Sequence, residues 1–329
     1  MTQVTSDRRT GVSGPVAFST VGLPEEQRVE LWESHNADAL IGLRCRTLTA
    51  PVLEATEINV QLDRIHLARV RGSSHVVERD LTMIRQRPAE SVALFFNLAG
   101  EAFFYHDDGV RTVQPGQMLL CDADRPFMRG FSQGLEELVL KVPRDVFADV
   151  TGIDRLARPL VMSFAAGANS FAHALARQVG AAARDQDPDP AEEETLLELV
   201  AALAGRRRVD GLSGAHRAAA LTFIDQHLAD PALSAVQVAA AVGISTRHLS
   251  RVLAEAGTSV PKHILGRRLE TARRLLEKPA ATSMTIAEVA HHCGFTSAAH
   301  FSTAFTTHFG ERASDVRRRA VAARAIPLQ

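Results

Sequence analysis

The 329-residue sequence predicts an α+β fold: an N-terminal antiparallel β-barrel with accompanying helices, then an all-α domain built on two helix-turn-helix units. Three observations carry that expectation. A pattern recurs near the end, first as LSAVQVAAAVGISTRHLSRVLAEAG at residues 233–257 and again as MTIAEVAHHCGFTSAAHFSTAFTTHFG at 284–310. Each copy is an apolar-periodic stretch closed by a glycine, Gly243 or Gly294, and followed by a hydroxyl-led second stretch at helical spacing. A glycine turn followed by an N-capping hydroxyl spells a helix-turn-helix. Between residues 42 and 142 the texture is different, with short runs rich in Val, Leu, Phe and Thr set off by turn residues. Many short strands at such spacing indicate an antiparallel barrel or sandwich. The third observation is charge. Residues 213–329 hold 14 Lys/Arg against 8 Asp/Glu and 8 of the 13 histidines, leaving 23 basic against 30 acidic residues upstream. A net charge of −1 therefore hides a basic C-terminal part suited to a polyanion.

Taken in order, residues 1–22 are polar and expected to be disordered, without the apolar core of a signal peptide. Residues 23–41 read as a helix carrying the only tryptophan, Trp32. The strand-like runs follow at 43–48, 64–70, 91–100 and 135–142, with turn signals HDDG at 106–109, QPGQ at 114–117 and DADRP at 122–126. The barrel domain is placed at 23–165. A helical segment spans 166–212, broken by the acidic, proline-containing run RDQDPDPAEEE. In its second helix Leu196, Leu199, Val200 and Leu203 form one apolar stripe. That stripe serves either as core against the barrel or as a dimer contact, and both readings stand. The DNA-binding domain is placed at 213–322, with a long helix at 260–278 between the two copies and a tail at 323–329.

Subtracting the apolar positions from each second helix leaves its outward face. In the first copy Ile244, Leu249, Val252 and Leu253 are buried, so Ser245, Thr246, Arg247, His248, Ser250 and Arg251 face DNA. In the second, Phe295, Phe301, Ala304 and Phe305 are buried, leaving Thr296, Ser297, Ala298, Ala299, His300, Ser302 and Thr303. Two arginines can pair bidentately with guanine, whereas hydroxyls and alanines hold phosphate or touch thymine methyls, so the first copy is expected to supply most base discrimination. Arg247 has the alternative of a phosphate clamp or a solvated surface residue. Lys262, Arg267, Arg268, Arg317 and Arg318 are the candidate phosphate contacts.

These motifs carry a resemblance. AAAVGISTRHLSRVL, GTSVPKHILGRRLETARRLL and IAEVAHHCGFTSAAHFSTAFTTHFG look like the AraC/XylS-family DNA-binding domain, two helix-turn-helix units joined by a linker helix. The hairpin around HDDG resembles a cupin-like jelly roll, so the N-terminal half is similar to the AraC-binding-like branch. The resemblance implies a sequence-specific, ligand-responsive transcription activator. Its partners would be double-stranded promoter DNA, a small-molecule effector and RNA polymerase, and it would act as a homodimer in the bacterial cytoplasm at the nucleoid. Two departures stand out: Ala313 and Val316 occupy the places of a usual proline and tyrosine, and Thr303 that of a frequent base-facing arginine.

Other chemistry is weakly signalled. Cys45, Cys121 and Cys293 are odd in number and far apart, against a disulfide framework or zinc cluster and for a reducing compartment. No apolar run is long enough to span a bilayer. His66, His75 and His106 are the obvious polar groups of the barrel, but they lack a metal-binding spacing. No catalytic residue, metal or cofactor is therefore expected, and no effector residue is assigned. The alternative reading is a cupin-type enzyme or DNA-repair protein with an attached DNA-binding module.

Overall fold

The computed structural model describes residues 13–48, 52–184, 190–205, 212–277 and 284–324. The chain divides into two compact units, Met1–Ala215 and His216–Gln329.

The first unit is a two-sheet jelly roll whose named strands pair antiparallel throughout. Its strands are β1 (Ser13–Ser19), β2 (Arg44–Thr47), β3 (Ala55–Gln61), β4 (His66–Gly72), β5 (His75–Arg79), β6 (Ser91–Ala99), β7 (Ala102–His106), β8 (Gly109–Val113), β9 (Gln117–Asp122), β10 (Phe127–Phe131), β11 (Leu135–Pro143) and β12 (Leu160–Ser163). The larger sheet runs β1-β3-β4-β11-β6-β9-β12 and the smaller β2-β5-β10-β7-β8. The HDDG signal is the tight β7–β8 hairpin, in which His106 pairs with Gly109. Period-two alternation divides each strand between two faces. On the larger sheet Ala55, Ala68, Val70, Ala93, Phe95, Leu119 and Val139 join Cys45, Val77, Ala102, Phe104 and Phe127 of the smaller sheet in one core.

The expected disorder of residues 1–22 is corrected in part. Residues 13–19 form β1, held because the stretch adds an edge strand to β3, with Phe18 opposite Glu57. Residues 1–12 lie outside the described ones. The helix expected at 23–41 is shorter: a 3₁₀ turn at Glu25–Gln27 leads into α1 (Arg28–Ala39), where Trp32 is buried.

Four further helices belong to this unit: α2 (Leu81–Gln86), α3 (Arg144–Thr151), α4 (Ser170–Ala182) and α5 (Pro190–Leu203). α3 and α4 pack on β11, and α5 packs on both helices. The leucine stripe faces these helices inside the unit. Leu196 and Leu199 are 0% exposed and Val200 2%, while Leu203 is half-buried, so the three innermost residues have no surface to offer a second copy. Glu193 fastens the helix to the β3–β4 turn, accepting from the Arg64 backbone N–H at 3.0 Å and from its Nε at 2.6 Å.

The second unit is all helical: α6 (Ser213–Gln226, which begins at the boundary), α7 (Ala235–Val242), α8 (Thr246–Glu255), α9 (Val260–Glu277), α10 (Ile286–His292), α11 (Ala298–Phe309) and α12 (Ala313–Arg324). Around α9, α10, α11 and α12 a core gathers Leu269, Ala272, Leu276, Val289, Ala290, Phe295, Phe301, Phe305, Ala313 and Val316. Ala313 and Val316, which depart from the family pattern, are thus buried in that core.

Candidate nucleic-acid interface

Local chemistry explains both helix-turn-helix units. α7 opens on a reciprocal capping box between Ser234 and Gln237, and α10 on the same device between Thr285 and Glu288. Ala239 and Ala290, 2% and 1% exposed, let the paired helices approach closely. Gly243 ends α7 in the left-handed region (φ 75°), and the Ile244 N–H reaches back to the Ala239 carbonyl at 3.0 Å. Gly294 (φ 83°) plays the same part after α10, where the Phe295 N–H donates to the Ala290 carbonyl. Ser245 and Ser297 then cap α8 and α11, accepting from the N–H groups of His248 and His300.

On α8, Leu249, Val252 and Leu253 point inward, and Ser245, Thr246, Arg247, Ser250 and Arg251 are exposed. His248 departs from the expected outward face. It is half-buried because its ring sits edge-on to His216 of α6, with centroids 5.2 Å apart. Among the described contacts Arg247 has no hydrogen-bond or ionic partner. Arg251, one turn on, donates to Glu255 Oε1 at 2.7 Å and lies 3.4 Å from His248 Nε2. With both partners of the Arg251–Glu255 pair about half exposed, such a pair stabilises by only about 0.3–0.5 kcal/mol, so it orients Arg251 without withholding it from a stronger partner. Glu255 went unremarked in the sequence, although its i,i+4 spacing from Arg251 was legible there.

The second face is as predicted in exposure. Thr296, Ser297, Ala298, Ala299, His300, Ser302 and Thr303 are all exposed, while Phe295, Phe301 and Phe305 pack inward, edge-on and tilted, with centroids 5.1 and 5.4 Å apart. Its hydroxyls are partly spent within the helix: Ser302 Oγ donates to the Ala298 carbonyl at 2.9 Å.

The candidate phosphate contacts separate into three kinds. Lys262 stands exposed at the start of α9. Arg267 and Arg268, both half-buried, are tied to groups of the protein. Arg267 forks onto Asp225 (2.8 and 3.3 Å) and reaches Glu270 at 2.6 Å. Arg268 donates to the carbonyls of Leu228 (2.9 Å) and Asp230 (2.6 Å), and burial draws its pKa down. It also abuts the second turn, since a Cβ at Gly294 would fall 2.9 Å from Arg268 Nε and 2.4 Å from the Leu228 carbonyl oxygen. One guanidinium therefore fixes the chain entering the first unit against the turn of the second. In α12, Arg317 is half-buried and Arg318 exposed, with the latter donating to Asp315 at 2.5 Å.

In the first unit the three histidines singled out are hydrogen-bonded. His66 meets Gln61 and Asn59, His75 the Ser73 carbonyl, and His106 Asp108. Among the described residues no group of three or more His, Cys, Asp or Glu is placed to hold a metal ion, and no helix is long and apolar enough to cross a membrane.

Residues 238–319 match a family described as a helix-turn-helix domain, and residues 32–206, more than half of the chain, match the AraC-binding-like domain. The chain is 25% identical over 263 residues to the transcriptional activator NphR of a Rhodococcus species, covering 75% of each. It is 26% identical over 245 residues, 70% of this chain and 95% of the other, to a Bacillus protein (strain OxB-1) described as an uncharacterized protein in the nit 5′ region. The last third is 37% identical over 101 residues to the transcriptional activator RhrA of Rhizobium meliloti strain 1021, covering 30% of this chain and 32% of that one.

Proposed function

We propose that this chain, which belongs to the AraC family of DNA-binding transcription regulators, is a ligand-responsive activator that reads promoter DNA mainly through Arg247. The family membership makes it a regulator of transcription. The activating direction is taken from relatives named as transcriptional activators. The observation that carries the residue assignment is the contrast between cations. Arg247 is exposed and unpartnered on the first recognition helix, beside the capped N-terminus that enters a major groove, whereas Arg267 and Arg268 are consumed by protein groups. Ser245, Thr246, Ser250 and Arg251 complete the first reading face. Thr296 to Thr303 supply the second, which sets register over a neighbouring groove about one helical turn away. Lys262, with Arg318, contacts phosphate.

The first unit holds the effector, and the protein acts as a homodimer that contacts RNA polymerase in the bacterial cytoplasm, at the nucleoid. An enzymatic role for the jelly roll, the competing reading, has no support in the names of the relatives. The test is fluorescence anisotropy with the full chain and DNA from upstream of its own gene. Arg247→Ala is expected to cost about 1–3 kcal/mol and to flatten preference at one base position. An equal loss on every operator variant would make Arg247 a phosphate contact instead.

A further inference from the structure

The jelly roll contains one carboxylate that the fold does not satisfy. Glu57 projects inward from β3, is 0% exposed, and neither carboxylate oxygen has a hydrogen-bond partner. Its nearest ionic neighbour is His35 of α1, whose Nε2 lies 3.6 Å from Oε1, beyond hydrogen-bond reach. That nitrogen is already engaged by the Asn59 amide at 3.1 Å, whichever end of the amide faces it. Asn59 in turn meets His66 at 2.7 Å, and His66 meets Gln61 at 3.0 Å. Every polar group along this inner row has a hydrogen-bond partner except the one at its end. A buried carboxylate with no hydrogen bond carries a desolvation cost that a single histidine contact at 3.6 Å offsets only in part.

Aromatic rings stand beside the same carboxylate. Phe18, the cross-strand partner of Glu57, stacks on His35 at 4.3 Å with planes 9° apart. Trp32 lies 6.1 Å from Phe18 and 6.4 Å from His35. Another buried carboxylate, Glu137, shows what such a group takes when the chain supplies it. Glu137 holds Arg129 at 2.6 and 3.0 Å, and that guanidinium lies 3.9 Å over the Phe95 ring. Ring faces and a carboxylate together are complementary to a positive charge on an organic ligand.

We propose that the α1-covered end of the jelly roll is an effector site for an organic ammonium compound, with Glu57 as its counter-ion and Phe18, Trp32 and His35 as its aromatic wall. The site rests on the ligand-responsive reading above and gives it a chemical class. An ammonium entering here donates to both free carboxylate oxygens and meets ring faces, which a neutral or anionic molecule of the same size does not do.

Trp32 is the chain's only tryptophan, so its emission reports the site directly. The full-length protein is titrated with n-butylammonium chloride, n-butanol and sodium butyrate, and operator binding is followed separately by mobility shift. A saturable change with n-butylammonium is expected, roughly tenfold or more tighter than with either analogue, and roughly tenfold weaker in Glu57→Gln. Should Glu57→Gln not fold, Phe18→Leu keeps the carboxylate and is expected to weaken n-butylammonium several-fold. Equal responses to all three compounds, a flat titration, or unchanged affinity in both variants would overturn the site. Overturning it with operator binding intact leaves the regulator reading standing, and ammonium binding without operator binding does the reverse.

Discussion

His66 shows how much one side chain in the jelly roll depends on its surroundings. Burial, followed by the nearby charges of Lys141 and His35, brings its pKa from 6.5 to about 4. A histidine with a depressed folded-state pKa binds fewer protons than it does when unfolded. Its contribution is therefore full above the unfolded value and is lost as pH falls from about 6.5 toward 4, to the extent of about 3 kcal/mol. His66→Gln, which keeps a hydrogen-bonding head beside Asn59, is expected to flatten that part of the stability–pH curve in denaturant titrations. An unchanged slope would show that His66 is already solvated and protonated normally. Arg247 and Arg251 make the same point on the other unit: two arginines one turn apart on one face, of which only the first meets no protein group.

Helices carry the next set of consequences. Arg268 of α9 satisfies two carbonyls from the segment between α6 and α7 and seats the Gly294 turn. Arg268→Met removes both donors, which costs about 1–3 kcal/mol, and frees the two helix-turn-helix units to shift. A lower thermal midpoint and weaker specific DNA binding are expected with the salt dependence of binding unaltered. A phosphate contact would instead reduce the slope of log K against log salt by about 0.9. On α5, Leu199 is sealed inside the first unit, so Leu199→Ala is expected to lose about 2–5 kcal/mol of stability without changing the sedimenting species. A clean shift to monomer at full stability would restore the dimer reading of the stripe. Sequence periodicity established that this stripe is buried. It held no information about which surface buries it, because α3 and α4, which pack on α5, lie 14 or more residues away along the chain.

At the scale of the whole molecule the charge division and the two compact units coincide. The C-terminal unit has its own core and both reading faces, while the buried ion pairs and the unpartnered carboxylate belong to the N-terminal unit. A fragment comprising residues 212–329 is expected to melt cooperatively by circular dichroism and to keep the operator preference of the full chain, while losing any response to an effector. Failure of the fragment to bind the operator at all would place essential contacts in the first unit. Much of this organisation was legible beforehand. Capping hydroxyls, turn glycines and the inward Phe and Leu positions act over three or four residues, so the sequence by itself determined the two helix-turn-helix units and their outward faces. Hairpin signals and alternation likewise indicated an antiparallel barrel or sandwich, and the resemblance of the HDDG hairpin pointed to a jelly roll. Only the tertiary structure decided which cations have protein partners, since Arg267 and Arg268 bond to groups 38 to 42 residues distant. It also decided that Glu57 has no hydrogen-bond partner and only His35 as an ionic neighbour, because the partner of a buried charge is chosen by strands and helices that meet only when the chain has folded.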